Sequence, residues 1–450
     1  MSVLFSTLLL ILFPLNLLIR RRRVKRECIL EVDFSHGLKL REHVSGDPIT
    51  KLLFYNNSMS IFEFFTCLEK AGLDKRVSGL VCYLGNGSYV TTLGLAAIQE
   101  LRESITNFSR KGKFTCCFSN SFGEGFNGIF AYYLATAFEQ VYLQPSGELN
   151  FAGLIIEQPF VKRFLEKLGL VPYLESRKEY KNMKNLFTET KFTDEHKEAV
   201  AGVLEVVIQE ITDEIIARRR IAPEDLKKLI EGIFLSSEEA KKWKLIDDAI
   251  YLHQFYELDF IRNRNLLFLQ HYYKNPRDFS LMIPKCVYKR VHSYFPWLAR
   301  RLLGSPRVAL IYLRGSILTG KGVPGRTSGS DCVSKALLSA CEDERISAIL
   351  LRVDTGGGSY VASDAISAVV AYAAQTAKKP VVVSMGNVAA SGGYFVSCRC
   401  SRIVAHPLTL TGSIGVVFGK FGTTQLWNKL GVDWDDLNTH ENATFFTGIF

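Results

Sequence analysis

The residues of this chain whose types and setting could do chemistry are a serine and a lysine far apart in sequence. Ser391 stands in Met385-Gly386-Asn387-Val388-Ala389-Ala390-Ser391-Gly392-Gly393-Tyr394, a glycine-rich strand-to-helix turn with no acidic residue or histidine nearby. Lys181 stands in the polar segment Glu179-Tyr180-Lys181-Asn182-Met183-Lys184-Asn185. A serine hydroxyl is a poor nucleophile at neutral pH and needs a base within hydrogen-bond reach, and a lysine supplies one if burial lowers its pKa. Together the two segments suggest a Ser/Lys hydrolase. Taken singly, Ser-Gly-Gly is an ordinary helix start and a lysine an ordinary solvated side chain, and Lys184 is the neighbour most easily mistaken for the base.

An internal repeat dictates the elements that must position this pair. Tyr132-Tyr133-Leu134-Ala135, Pro145 and Gly153 lie on Tyr394-Phe395-Val396-Ser397, Pro407 and Gly415 at a constant offset of 262. Upstream, Val77-Ser78-Gly79-Leu80-Val81 and Gly87-Ser88-Tyr89-Val90 echo Ile346-Ser347-Ala348-Ile349-Leu350 and Gly358-Ser359-Tyr360-Val361, the offset drifting to 269–271 as loop insertions require. Each copy reads as strand, glycine turn, helix, strand, glycine turn, helix. In the second copy residues 308–313, 348–353 and 380–384 are short apolar runs suited to strands buried on both faces of a parallel sheet, and 363–376 is the clearest helix. The pattern predicts an α/β fold with ligand loops at the carboxyl ends of the strands.

The first copy carries a helical extension. Thr193 caps a helix with Asp194 and Glu195 in its first turn, and Val200, Leu204, Val207, Ile208, Ile211 and Ile215 form its apolar face. Further helices follow Pro223 and the run Ser236-Ser237-Glu238-Glu239. The expected division is 1–26 as a membrane segment plus basic run, 27–261 as the first copy with the lysine-bearing extension, 262–305 as a linker, and 306–450 as the second copy carrying the serine.

Composition narrows the classes. The chain has 450 residues, 47% of them apolar and 22% charged, which suits globular domains rather than disorder. Of the net charge of +10, six charges come from one run (Arg20, Arg21, Arg22, Arg23, Lys25 and Arg26), and no basic pattern interleaved with aromatics points to nucleic acid. Residues 3–19 carry no charge and as a helix would span roughly 25 Å, a marginal membrane anchor weakened by Pro14 and Asn16. The N-terminal segment would contact membrane lipid as a single anchor, and by the positive-inside rule the basic run after it would hold residues 20 onward on the cytoplasmic side, while the side of the catalytic domain stays open. The ten cysteines show no metal spacing and several lie in apolar runs, which fits buried reduced thiols. The histidines are scattered, and His406, before Pro407, reads as a turn residue.

Gly358-Ser359, the 385–394 run and Leu410-Thr411-Gly412-Ser413-Ile414-Gly415-Val416 resemble the signature of the signal peptide peptidase A family, the protease IV type of Ser/Lys membrane peptidases (family S49), over most of residues 75–440. The resemblance implies tandem duplicated ClpP/crotonase-like domains and a serine endopeptidase acting through an acyl-enzyme. It implies Ser391 as nucleophile, Lys181 as general base, Ser413 as the hydroxyl that orients the lysine, and the amides of Gly357 and Gly392 as the oxyanion hole, with Gly356 and Gly358 as turn geometry. It also implies extended apolar peptides such as signal peptide remnants as substrates, a homo-oligomeric ring, and no cofactor or metal. The repeat sets Ile129 opposite Ser391 and Asn150-Phe151 opposite Gly412-Ser413, so one site per chain is expected. Two departures stand out. The family's Ser-Pro-Gly-Gly turn reads Asp354-Thr355-Gly356-Gly357-Gly358 here, which predicts a less preorganised loop, and the second copy ends without the extension of long relatives, as a truncated chain would. A non-catalytic membrane scaffold or inactive fragment, and a crotonase-like acyl-CoA enzyme, are the competing classes.

Overall fold

The computed structural model describes residues 26–35, 38–42, 58–262, 264–269, 307–323 and 326–449. The apolar segment 3–19, most of the basic run and most of the 262–305 connection lie outside the described residues. Among the described residues no helix is long and apolar enough to cross a membrane.

The principal elements begin with β1 (Cys28–Asp33), β2 (Lys39–Arg41), β3 (Ser58–Ser60), α1 (Ile61–Leu73), β4 (Val77–Gly85), α2 (Leu95–Arg110), β5 (Phe114–Ser119), α3 (Ile129–Ala135), β6 (Gln140–Leu143) and β7 (Glu148–Phe151). They continue with α4 (Lys162–Leu168), β8 (Val171–Ser176), α5 (Asp194–Arg219), α6 (Pro223–Glu231), β9 (Ile233–Ser236), α7 (Ser237–Lys242), β10 (Asp248–Ala249) and β11 (Asn265–Phe268). The remainder holds β12 (Arg307–Arg314), β13 (Ser316–Leu318), β14 (Thr327–Gly329), α8 (Ser330–Glu342), β15 (Ile346–Thr355), α9 (Tyr360–Ala371), β16 (Val381–Ala390), α10 (Gly392–Ser397), β17 (Arg402–Val404), β18 (Leu410–Gly412), β19 (Val417–Gly422) and α11 (Thr424–Lys429). They form two compact units, Met1–Gly153 with Ile211–Arg307, and Leu154–Glu210 with Val308–Phe450.

In the first unit the sheet runs β10-β6-β5-β4-β1-β11, with every ladder parallel. Its central strands are buried on both faces, which is why Leu80-Val81-Cys82 and Cys116-Cys117-Phe118 read as unbroken apolar runs. Cys28, Cys67, Cys82, Cys116 and Cys117 are free thiols in this interior, and burial pushes the Cys28 thiol up to about 11. α1 starts at a capping box: the Ser60 hydroxyl accepts the Glu63 amide, and the Glu63 carboxylate accepts the Ser60 amide. The caps expected at the helical extension are also present. The Thr193 hydroxyl accepts the His196 amide at 3.3 Å, Pro223 opens α6, and Ser236 and Glu239 form a capping box on α7.

The second unit repeats the plan. Its sheet runs β12-β15-β16-β17 in the order of β1-β4-β5-β6, and β3 with α1 recurs as β14 with α8, residue for residue, 269 positions later. The α/β class and the tandem duplication expected from the sequence are both observed. β16 is longer than the 380–384 run because β17 pairs with its first half (Val382↔Arg402) and β18 with its second (Ala390↔Gly412). α9 starts at Tyr360, three residues before the expected helix, because the Ser359 hydroxyl accepts the Ala362 amide, and it closes in a π turn at Tyr372–Thr376. Leu351, Val353, Ile366, Val370, Val383 and Met385 fill the core between sheet and helices.

The segment carrying Lys181 folds within this second unit. β8 pairs antiparallel with β19 from Val171↔Gly422 to Ser176↔Val417, and Phe187 sets its ring edge-on to Phe421 at 5.5 Å. The pairing leaves no room for a side chain at Gly419, whose φ is +153° and whose added Cβ would lie 1.9 Å from the Tyr173 carbonyl oxygen. Gly419→Ala is expected to lower the unfolding free energy by about 2–4 kcal/mol. Gly202→Ala, in α5 with nothing within 4 Å of the new methyl, should instead raise it by about 0.5–1 kcal/mol. Denaturant unfolding of the two variants measures both, and a wild-type midpoint for Gly419→Ala would contradict the β8–β19 pairing.

Candidate active site

Parallel pairing of β16 with β18 brings the two serines to one place. Val388, Ala389 and Ala390 sit beside Leu410, Thr411 and Gly412, so that Ser391 and Ser413 are the next residues of the two strands. The Ser391 amide donates to the Gly412 carbonyl at 2.8 Å, and the Thr411 hydroxyl donates to the Ala389 carbonyl at 2.8 Å. Upstream, Asp354 Oδ1 accepts the Val388 amide at 3.1 Å, tying the end of β15 to the strand that leads into Ser391. Both serines have left-handed backbones, Ser391 at φ 52° and Ser413 at φ 49°. Such conformations cost a non-glycine residue of order 1–3 kcal/mol and persist where surrounding contacts over-determine them. At Ser391, with ψ −115°, the chain turns from β16 directly into α10, whose Phe395 amide donates back to the Ser391 carbonyl at 2.9 Å.

Lys181 reaches this turn from the loop after β8. The Arg177 amide continues the β8–β19 ladder to the Val416 carbonyl, and the lysine stem then passes Gly415, where a methyl group would lie 3.6 Å from Lys181 Cδ. Lys181 Nζ lies 3.2 Å from Ser391 Oγ, 3.0 Å from Ser413 Oγ and 2.6 Å from the Ser413 carbonyl oxygen. The residue is only 8% exposed, and burial lowers its pKa below the usual lysine value. Among the described residues no carboxylate or imidazole hydrogen-bonds either Lys181 or Ser391. Lys184, the alternative base, points elsewhere and pairs with Glu175 at 3.8 Å on the surface.

The glycine turn after β15 corrects one expectation. The Gly357 amide is not free to meet a ligand, because it donates to Thr355 Oγ1 at 3.0 Å inside the protein. The Gly357 carbonyl accepts the Ile317 amide at 3.0 Å, and the Ser359 amide donates to the Ile317 carbonyl at 2.9 Å, docking the turn on β13. A peptide unit is planar and trans, so fixing the Gly357 carbonyl onto β13 turns the Gly358 N–H to the opposite side. That side holds Gly392: a methyl group placed on Gly392 would lie 3.4 Å from the Gly358 nitrogen and 3.3 Å from Gly357 Cα. Gly358 and Gly392 thus present two amides, neither with a carbonyl acceptor among the described residues, beside the Ser391 hydroxyl. Of the five residues expected at the site, Ser391, Lys181, Ser413 and Gly392 come together with the polar atoms expected of them, and Gly357 contributes its backbone but not its amide. Sequence reading passes over Thr355 and Asp354 and takes Gly358 as turn geometry alone. Only the Asp-Thr preceding three glycines hints that polar side chains hold this turn.

The corresponding place in the first unit is filled. The Gly128 amide donates to the Asn150 carbonyl at 3.0 Å as the Ser391 amide does to Gly412, so Gly128, and not the Ile129 expected from the constant offset, stands where Ser391 would, because the α3 turn holds one residue more than α10. Ile129 after it is fully buried, Phe151 packs edge-on against Tyr132 at 5.2 Å, and the Asn150 amide group donates to the Glu148 carboxylate at 3.4 Å.

The model of peptidase family S49 matches residues 122–258 and 373–448 of this chain. Serine protease SPPA, chloroplastic, of Arabidopsis thaliana is 28% identical over 393 residues, 86% of this chain and 54% of that protein. Protease 4 of Salmonella typhi is 28% identical over 390 residues, 84% of this chain and 59% of its own length. The chain therefore spans little more than half the length of these relatives. Among solved structures, a mutant ClpP1 from Listeria monocytogenes is similar over 22% of this chain and 48% of its own, at 23% identity and a TM-score of 0.16, a likeness too slight to decide anything. The long relatives agree with the segment match that this chain is similar to peptidase family S49 on both halves of the duplication.

Proposed function

We propose that the protein is a serine endopeptidase that works through a Ser391/Lys181 dyad and an acyl-enzyme. The observation that carries this reading is the 3.2 Å contact between a buried lysine amine and a serine hydroxyl held on a strained turn. A neutral primary amine has two N–H bonds and one lone pair. Ser413 offers two acceptors, its carbonyl and its hydroxyl, for the two N–H bonds, which aims the lone pair at the Ser391 O–H. Burial disfavours the ammonium form and so favours the neutral amine, the form able to accept a proton.

In this mechanism Ser391 Oγ attacks the scissile carbonyl as Lys181 Nζ takes its proton. The Gly358 and Gly392 amides face the developing oxyanion, in place of the Gly357 amide inferred from the family resemblance. The ammonium then gives its proton to the leaving amine, and in the second half the lysine deprotonates the water that cleaves the ester. An extended peptide pairing with a strand edge near the glycine turn is the substrate form that fits, and apolar segments such as signal peptide remnants are the proposed class. Residues 3–19 followed by the basic run are proposed to hold the protein at a membrane, and a homo-oligomer is the proposed assembly.

Cleavage of an unstructured, apolar-rich peptide by the wild type, Ser391→Ala and Lys181→Ala tests the dyad directly. Both variants should fold and fall to background, whereas a folded but inert wild type would favour the scaffold reading. Because only the neutral amine serves as base, wild-type kcat/KM should rise with pH along a limb centred below the ordinary lysine value and be lost as pH falls through it. A limb at or above that value would contradict a desolvated base. Ser413→Gly removes one hydroxyl from the lysine at a backbone conformation that glycine adopts freely, while the main-chain carbonyl remains. A fall in kcat of about tenfold is expected, and no change would show that the hydroxyl does not orient the amine. Deleting residues 1–26 should release the protein from lipid vesicles in a flotation assay while leaving peptide cleavage intact, and continued flotation would locate the membrane contact elsewhere.

A further inference from the structure

We infer that Thr355 is a positioning residue for the oxyanion turn, holding by a side-chain clamp a loop that lacks the rigidity proline would give it. The inference rests on the peptidase reading above. Thr355 ends β15 and is 3% exposed. Its hydroxyl donates to the Gly315 carbonyl at 2.6 Å and accepts the Gly357 amide at 3.0 Å, so one oxygen joins the β12–β13 corner to the glycine turn. Its methyl group faces α10, where a Cβ on Gly393 would lie 2.7 Å from Thr355 Cγ2. A single side chain therefore touches the turn on one side and the helix following Ser391 on the other.

Three consecutive glycines give this turn more backbone freedom than any other composition. Two peptide units must be fixed for the Gly358 amide to face the Ser391 hydroxyl. The Ile317 amide fixes the unit between Gly357 and Gly358 through its carbonyl, and the Thr355 hydroxyl fixes the preceding unit through the Gly357 N–H. With both pinned, Gly357 is held at φ +102° and the Gly358 amide is aimed before substrate arrives. Without the hydroxyl, the unit between Gly356 and Gly357 is free to rotate, and the amide must be ordered during the reaction. That cost falls on the transition state, where the oxyanion develops, and hardly on ground-state binding.

The experiment compares steady-state cleavage of the same apolar peptide by the wild type, Thr355→Ser, Thr355→Val, Thr355→Ala and Thr355→Val with Gly356→Pro, with thermal unfolding of each and Ser391→Ala as the blank. Thr355→Val keeps the shape and removes the hydroxyl, and Thr355→Ala removes it while leaving space for water to meet the freed polar groups. Both should lose about 10- to 100-fold in kcat with KM within about threefold, and Thr355→Ser should stay within about threefold of the wild type in both. Gly356 does not have a positive φ and a Cβ there meets nothing within 4 Å, so the position has side-chain room for a proline, which would stiffen the turn by another route. The double variant should recover a substantial part of the lost kcat. Rates that follow unfolding temperature rather than the hydroxyl, or a wild-type kcat in Thr355→Val and Thr355→Ala, overturn the clamp while leaving the peptidase reading in place. Activity undiminished in Ser391→Ala overturns that reading, and the clamp with it.

Discussion

A lysine amine shut away from water with hydroxyls and a carbonyl around it, and no carboxylate bonded to it, is the constraint on which the rest of the site depends. An unpaired ammonium in such a place costs several kcal/mol, and the group answers by giving up its proton more readily. In the proposed mechanism the Lys181 amine serves as a base for the reason that makes it expensive as a structural element. Much of the second unit can be understood as the means of keeping it there. The six-residue ladder of β8 on β19 carries the lysine loop, the Phe187–Phe421 contact pins the helical turn behind it, and Gly415 leaves a path for the stem. The β16–β18 register then sets both serines against the amine.

The duplication shows how little of this is inherent in the fold. Both units use the same strand order and the same helices after corresponding strands, yet one turn ends in a strained serine and the other in Gly128, followed by buried Ile129. Where the second unit leaves polar atoms facing one another, the first packs Phe151 on Tyr132 and Phe122 on Tyr132. The chemistry is thus a property of a few positions laid on a common scaffold.

Much of the scaffold is legible in the sequence because burial on both faces leaves a strong signature. The apolar runs, the cap residues Thr193 and Ser236, and the constant offset between copies all correspond to local physics. The serine turn is legible for the same reason, since strand, glycines and helix lie together in the chain. The lysine is not legible from local pattern: its setting is made by strands nearly 250 positions apart, and only the family resemblance singles it out from Lys184. The glycine turn after β15 shows the limit most clearly. Gly356, Gly357 and Gly358 look alike in sequence, and which amide faces the hydroxyl is decided by Ile317 and Thr355, through hydrogen bonds that no spacing rule encodes. The long reach of β16 is likewise hidden, because its second half is a strand only by virtue of its pairing with β18.

The backbone angles at the site also sort the hydroxyl residues by kind. Ser391 and Ser413 occupy left-handed conformations, whereas Thr355 and Thr411 lie on extended strands. A β-branched residue suits a pleated strand and is strongly disfavoured at positive φ. Serine and threonine carry the same functional group, but the exchange is not symmetric here: threonine would be strained at position 391, whereas serine at position 355 would keep the hydroxyl and give up only the methyl that faces α10. At these positions torsion angles, rather than the reactivity of the hydroxyl, separate the site that admits threonine from the one that disfavours it.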